Sequence, residues 1–202
     1  MNWDLSTAYK VLNKDPHLKI IIKETGKLDH TGHKDLFTSL LRAIVSQQLS
    51  TKAADTIWSR FILLFDQQQP VAESILHLDI ELMRSAGLSY QKAGYLKNIA
   101  TFSQEQTLDY RKLYRKSDEE LILYLSSIKG VGRWTAEMIL LFNLNRPDIF
   151  PVDDLGIQQA MKALYHMKEE GKEFKQKMIE ISNMWKPYRS LASRHLWRWK
   201  DF

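Results

Sequence analysis

The chain has 202 residues, of which 44% are hydrophobic, and its formal net charge of +5 is compatible with a polyanionic partner without proving one. It contains no cysteine, which excludes disulfides, thiolate zinc sites and cysteine-ligated iron–sulfur clusters. Because it has neither an apolar signal-peptide core near its start nor a run of about 18 apolar residues, we expect a soluble protein of a reducing compartment, not a membrane protein.

The predicted elements are helices from one end of the chain to the other, since no segment shows sustained alternation with a period of two. Asp15 and Pro16 indicate a helix start and Gly26 its end. Apolar residues three and four apart predict core-facing helices over 36–45 and, after Ser50, over 57–65. Further starts are predicted at Pro70, Asp79, Ser89 and Ser117, and the last of these forms a capping box with Glu120. Helices then follow at about 133–144, 153–166, 171–184 and 187–199, the last opened by Pro187.

The fold class is therefore all-α, with ten or more short helices. Residues 1–35 contain one or two helices, and the polar stretch over roughly 103–117 is expected to be a surface connection. Basic residues concentrate toward the end of the chain: from Met161 onward there are ten Lys and Arg against five Asp and Glu.

Two glycines one residue apart, Gly130 and Gly132, join two apolar helices in the turn over 128–132. Without a Cβ, such a turn can lie close against another backbone. The amides of Arg133 and Trp134 at the next helix start, together with the helix dipole, suit a phosphate. Any hairpin of two helices could use the same glycines, so an ordinary structural turn explains this pattern equally well.

Two acidic residues, Asp153 and Asp154, follow about twenty residues later, after Pro151. Acids at a helix start are usually caps, and taken alone this pair would be read in that way.

The combination of these segments is more specific than either one. Ser126 to Ile157, with the sequences GVGRWTA and DIFPVDDLGI, resembles the helix–hairpin–helix DNA glycosylases, and most closely the 3-methyladenine DNA glycosylase II (AlkA-like) branch. RAIVSQQLSTKAA resembles the family's DNA-wedge segment, AGLSYQKAGYLKNIA its next helix pair and WKPYRSLASRHLW its closing helix. The resemblance thus spans residues 36 to 199.

The resemblance implies the helix–hairpin–helix glycosylase fold, a single all-α unit over 1–202 made of two helical lobes with the active site in the cleft between them. Residues 36–115 would form the central lobe, and 1–35 with 116–202 the second lobe, which contains the hairpin at 128–132. The family prototype has an additional N-terminal α/β domain, and this chain begins close to the helical core.

The resemblance also implies a chemistry: release of alkylated purines of the 3-methyladenine and 7-methylguanine type, which leaves an abasic site. Asp154 would be the catalytic carboxylate and Asp153 a cap or a neighbour. Trp134 occupies the position of the Schiff-base lysine of bifunctional relatives, so a monofunctional enzyme is expected. The positions that match the family's base pocket are Trp134, Trp197, Met138 and Leu155, the last two in place of tyrosines in the prototype.

The partner implied is double-stranded DNA with a damaged base, bound by a monomer. The protein would be cytoplasmic and associated with the nucleoid in a bacterium, and nuclear in a eukaryote. Gly130, Gly132 and Arg133 would hold the DNA backbone. Gln48 would be the wedge that fills the space of the flipped nucleotide, with Gln47 and Leu49 as alternatives. No cofactor is expected for catalysis. A structural monovalent cation is implied at the hairpin, bound by the main-chain carbonyls of Ser126, Ile128 and Val131.

Two other classes of function remain as alternatives. The first is a glycosylase for another damaged base, and the second is a non-catalytic helix–hairpin–helix DNA-binding protein, which would not need a carboxylate facing DNA. A metal hydrolase built on His30 and His33 is a weaker alternative, because that pair lies in a polar loop without a carboxylate at helical spacing.

Overall fold

A computed structural model describes residues 4–28 and 35–200 of the protein. This part of the chain contains thirteen α-helices and no β-strand, which confirms the all-α class. The helices are α1 Leu5–Leu12, α2 Pro16–Thr25, α3 Leu36–Ser46, α4 Thr51–Ile62, α5 Ala72–His77, α6 Ile80–Ser85, α7 Tyr90–Glu105, α8 Tyr110–Leu113, α9 Asp118–Ser126, α10 Arg133–Met138, α11 Leu155–Leu164, α12 Gly171–Ser182 and α13 Arg189–Lys200. The His30 and His33 pair lies outside the described residues.

The helix starts follow the predicted capping residues. Asp15 accepts hydrogen bonds from the first amides of α2, and Asp79 and Ser89 do the same for α6 and α7. Ser117 and Glu120 form the predicted capping box at α9. These short side chains satisfy amides that the first helical turn leaves without a partner, and they therefore fix where each helix begins.

Three predicted elements differ in detail from the structure. α5 begins at Ala72, two residues after Pro70, and the predicted connection over 103–117 contains the end of α7 and the short helix α8. The predicted helix over 133–144 is α-helical only to Met138 and continues as a π-helix over Ile139–Asn143. A π-turn inserts an extra residue, so the side chains that follow it are rotated relative to those of α10.

The chain divides into two compact units, residues 1–32 with 140–202 and residues 33–139. In the first unit, α13 packs against α2 and α11, and a buried cluster that includes Leu18, Met161 and Trp185 forms its core. In the second unit, α7 packs against α3, α5 and α6.

This division places residues 116–139, including the hairpin, with the central helices, although the resemblance predicted them in the other lobe. The reason is a set of contacts within the second unit. Tyr95 of α7 lies against Gly130, and the Asn98 side-chain amide donates to the Lys129 carbonyl oxygen at 3.1 Å. Gln47 donates to the Gly130 carbonyl oxygen at 3.2 Å. The periodicity of the sequence predicts none of these contacts.

No helix in the described part of the chain is long and apolar enough to cross a membrane.

Candidate active site

The hairpin between α9 and α10 requires only one of its two glycines for folding. Gly130 has φ +106°, and a Cβ placed there would lie 2.3 Å from Cγ of Tyr95. Gly132 has φ −82° and caps α10, and a Cβ added to it would meet no atom within 4 Å. The turn therefore depends on glycine at position 130, while Gly132 leaves the backbone open toward solvent.

The Arg133 side chain is occupied by ion pairs inside the second unit. Its guanidinium donates two hydrogen bonds to Glu119, at 2.8 and 2.9 Å, and a third to Glu137 at 3.1 Å. The hydrogen bonds to Glu119 raise the pKa of Arg133 above its already high value. What Arg133 offers to a ligand is therefore its backbone amide and not its side chain.

The carbonyls named for a cation surround the same turn. The Ile128 carbonyl oxygen accepts a hydrogen bond from the Val131 amide at 2.9 Å, which closes the turn between Ile128 and Val131. A carbonyl oxygen has two lone pairs, so this hydrogen bond leaves it able to coordinate an ion. Carbonyl oxygens are the donor type that monovalent cations prefer.

Trp134 and Met138 lie one turn apart on α10. Trp134 is 43% exposed and Met138 is half-buried. A large apolar side chain with this exposure is not part of the core, so ordinary core packing does not account for Trp134.

The three wedge candidates lie in the turn between α3 and α4, and their side chains have different surroundings. The Gln47 side chain is bound inward, since it donates to the Gly130 carbonyl oxygen and, at 3.3 Å, to Thr135 Oγ1. Gln48 is exposed and has φ +58°, and Leu49 is 39% exposed. Gln48 and Leu49 are therefore the residues of this turn that can reach a ligand.

The two neighbouring aspartates have different surroundings. Asp154 caps α11, and its Oδ1 accepts hydrogen bonds from the Ile157 amide at 2.9 Å and from Trp197 Nε1 at 2.7 Å. Asp153 is exposed and forms an ion pair with Lys175 at 2.6 Å. Two donors fix the orientation of the Asp154 carboxylate, whereas an exposed ion pair such as that of Asp153 contributes little.

Gly156 allows this contact between Asp154 and Trp197. A Cβ on Gly156 would lie 3.0 Å from Cδ1 of Trp197 and 3.1 Å from both Nε1 of Trp197 and Oδ1 of Asp154. These distances are shorter than ordinary van der Waals contacts. The absence of a side chain at position 156 therefore lets the indole approach the carboxylate.

Phe142 is a site residue that the sequence analysis did not identify. Its ring stacks on Trp197 with a centroid separation of 5.5 Å and is 43% exposed. The Arg194 guanidinium carbon lies 5.0 Å from the Phe142 ring centroid, while Arg194 donates to the Leu141 carbonyl oxygen at 2.6 Å. The one available signal was the apolar run over 139–142, which is longer than a single buried helix face can hold.

Within the first unit the structure thus brings together Asp154, Trp197 and Phe142, and it leaves Leu155 71% exposed on the first turn of α11. Trp134, Met138 and the hairpin belong to the second unit. Among the described residues no group of three or more His, Asp or Glu side chains is arranged to hold a metal ion.

Comparisons with known proteins give the family of the chain. Residues 41–187 match the HhH-GPD superfamily of base excision DNA repair proteins. The DNA-3-methyladenine glycosylase 1 of Schizosaccharomyces pombe is 38% identical over 167 residues, which cover 82% of this chain and 72% of that protein.

Solved structures agree with this match. The 3-methyladenine DNA glycosylase of S. pombe in complex with abasic DNA superposes with a TM-score of 0.84 at 36% identity, and the alignment covers 95% of each chain. The DNA-3-methyladenine glycosidase of Bacillus halodurans superposes with a TM-score of 0.81 at 33% identity over 93% of this chain and 85% of that one. The resemblance inferred from the sequence is confirmed, and the chain belongs to the HhH-GPD superfamily of base excision DNA repair proteins.

Proposed function

We propose that the protein is a monofunctional DNA glycosylase that hydrolyses the N-glycosyl bond of alkylated purines in duplex DNA. The observation that carries this proposal is the carboxylate of Asp154, oriented by Trp197 Nε1 and the Ile157 amide in a chain of the HhH-GPD family. The names of the relatives, which are DNA-3-methyladenine glycosylases, support the substrate class. The S. pombe relative was solved with abasic DNA, which supports DNA as the partner.

Asp154 would stabilise the transition state electrostatically. Cleavage of an N-glycosyl bond builds positive charge on the deoxyribose, and a fixed anion beside it lowers the barrier or orients the attacking water. An alkylated purine already carries positive charge and is a good leaving group, so a second, acidic residue is not required. The two hydrogen bonds to Oδ1 would hold the carboxylate in a fixed orientation during this step.

Three aromatic side chains would bind the base by stacking. Phe142 and Trp197 form a stacked pair next to Asp154, and Trp134 is exposed on α10. Electron-rich rings attract a cationic purine through cation–π interaction, which favours methylated over unmodified bases.

Trp134 also supports the monofunctional reaction, because an indole cannot form the imine that strand cleavage by this class requires. Lys129 lies at a different position of the hairpin, so we assign it no nucleophilic role.

The remaining residues would hold the DNA. In this proposal Gly130, Gly132 and the amides of Arg133 and Trp134 contact backbone phosphates, and Gln48 at the exposed turn acts as the wedge. A monovalent cation bound by the carbonyls of Ser126, Ile128 and Val131 would bridge the hairpin to a phosphate and take no part in bond cleavage. Affinity should then be dominated by phosphate contacts and fall steeply with salt. We expect the protein to act as a monomer.

Release of free bases from methylated duplex DNA tests this function. The wild type is expected to release 3-methyladenine or 7-methylguanine, with strand breaks appearing only after alkali. Strand breaks before alkali would contradict the monofunctional reaction. Release of a deaminated or oxidised base instead of a methylated one would favour the alternative lesion classes, and binding without release of any base would favour a DNA-binding protein.

A further inference from the structure

Lys92 of α7 supports the turn over 47–49 from inside the second unit. Its ammonium group donates to the carbonyl oxygens of Val45 at 2.8 Å and Gln47 at 2.7 Å. These carbonyls belong to the end of α3, where a helix leaves its last carbonyls without partners. A cation there satisfies them and complements the helix dipole. Lys92 is half-buried, and this burial lowers its pKa.

Gln47 extends this contact to the hairpin. Its main-chain oxygen is held by Lys92, while its side chain donates to the Gly130 carbonyl oxygen and to Thr135 Oγ1. These contacts therefore connect Lys92 through Gln47 to the turn of the hairpin and to α10.

The same face of α7 contacts the hairpin directly. Lys92, Tyr95 and Asn98 are spaced by three residues, which places them along one side of the helix. Tyr95 lies against Gly130 and Asn98 donates to the Lys129 carbonyl oxygen. One helix face thus supports the α3–α4 turn and the hairpin together.

Gln48 depends on this support for its conformation. Its φ of +58° lies in the left-handed region, where a residue with a side chain is at a disadvantage of about 1–3 kcal/mol unless the surroundings hold it. The Leu49 amide donates to the Ser46 carbonyl oxygen at 3.2 Å and closes the turn around Gln47 and Gln48. Lys92 holds the Gln47 carbonyl oxygen, and it thereby fixes the peptide group between these two residues.

We propose that Lys92 is a positioning residue for base opening: by holding Val45 and Gln47 it keeps Gln48 in its left-handed conformation and ties the wedge turn to the hairpin. Binding of phosphates by the hairpin and insertion of Gln48 then occur as one movement of a preformed element. This inference rests on the proposed function, since it takes Gln48 as the wedge and the hairpin as the phosphate contact. It adds a residue that touches neither DNA nor the reacting bond.

The experiment compares Lys92→Met with Lys97→Met in the full chain. Lys97 lies on the same helix and makes a similar hydrogen bond, to the Leu76 carbonyl oxygen at 2.9 Å at the end of α5, away from the turn and the hairpin. Base opening is read from the fluorescence of 2-aminopurine placed beside a tetrahydrofuran abasic analogue, which requires no catalysis. Affinity for undamaged duplex, single-turnover release of 7-methylguanine and thermal unfolding are measured in parallel.

Lys92→Met is expected to lower the fluorescence rise and the rate of base release by about tenfold or more, because it removes two charge-assisted hydrogen bonds. Its affinity for undamaged duplex should stay within about threefold, since the phosphate contacts remain. Lys97→Met should retain opening and release. Lys92→Arg should recover most of the activity, because a guanidinium can also donate to two carbonyls.

Gln47→Ala provides a second test if Lys92→Met unfolds at lower temperature than the control. This variant keeps the Lys92 contacts to the main chain and removes the link to the hairpin, so it should also lose opening selectively. The inference is overturned if both variants open the base pair as the wild type does, or if the wild type does not open it. It is also overturned if base opening falls in the variants only as much as their affinity for undamaged duplex falls. Opening by the wild type without release of any base, abolished in Lys92→Met, would support the inference while contradicting the proposed function.

Discussion

Separate replacement of the two hairpin glycines should distinguish an effect on folding from an effect on DNA binding. An alanine at position 130 would place its Cβ 2.3 Å from Cγ and 2.6 Å from Cδ1 of Tyr95, at the base of the ring where the side chain cannot swing away. The φ of +106° adds backbone strain. At position 132 the backbone angles suit alanine and no atom lies within 4 Å of the added carbon.

The expected loss of stability in Gly130→Ala has two causes. A side chain in a sparsely populated backbone region costs about 1–3 kcal/mol, and overpacking costs about 1–3 kcal/mol. For a chain of this length each kcal/mol lowers Tm by about 2–4 °C, so the fall should be on the order of 10 °C. Gly132→Ala should lower Tm by only about 2–4 °C, because alanine is a poorer N-cap than glycine by about 1 kcal/mol and no steric clash is added.

Thermal unfolding followed by circular dichroism measures the change in stability. Gel-shift titration with several unrelated duplexes measures the change in DNA affinity. Each variant should bind DNA more weakly than the wild type, and by a similar factor for every duplex sequence, since the hairpin contacts the DNA backbone and not the bases. Equal changes in Tm for the two variants would refute the assignment of Gly130 to folding and of Gly132 to the open side of the turn.

Three further variants test other parts of the protein. Gly156→Ala should push Trp197 away from Asp154 and lower single-turnover base release by about tenfold or more with little change in Tm, and unchanged release would contradict the packing argument. Burial, with a smaller effect of Arg198, lowers the pKa of His195 to about 4, so the unfolded chain takes up a proton below its ordinary value of 6.5 while the folded chain does not. The free energy of unfolding, from urea titrations, should therefore fall by up to about 3 kcal/mol as pH drops from about 6.5 to 4, and the fall should be shallower in His195→Leu. Trp134→Lys should reduce base release without producing strand breaks before alkali. Strand breaks before alkali, together with a covalent protein–DNA adduct formed when borohydride reduces the imine, would show that position 134 alone decides between the two reactions.

The elements that local chemistry defines could be predicted from the sequence. The capping box of Ser117 and Glu120 and the start at Asp15 were assigned from short spacings, and they fix helix ends without help from the rest of the fold. Membership of the family was also accessible, because its motifs are contiguous.

The features that depend on long-range packing could not be predicted in this way. Phe142 was missed because the π-helix over Ile139–Asn143 rotates it relative to the α-helical register that starts at Trp134. The hydrogen bond from Trp197 to Asp154 joins residues 43 positions apart, and no local pattern indicates it. The sequence also gives no indication that Lys92 supports the wedge turn, since a lysine on a helix is ordinarily a solvated residue.

The most direct test of the proposed chemistry compares Asp154→Asn with Asp153→Asn in single-turnover release of 7-methylguanine. An asparagine at position 154 can still cap α11 and accept the hydrogen bond from Trp197, so the fold and the affinity for abasic DNA should be retained while the negative charge is lost. We expect base release to fall by about a hundredfold or more in Asp154→Asn and to change little in Asp153→Asn, whose carboxylate pairs with Lys175. Equal activity of Asp154→Asn and the wild type, or a larger loss in Asp153→Asn, would contradict the assignment of Asp154 as the catalytic carboxylate.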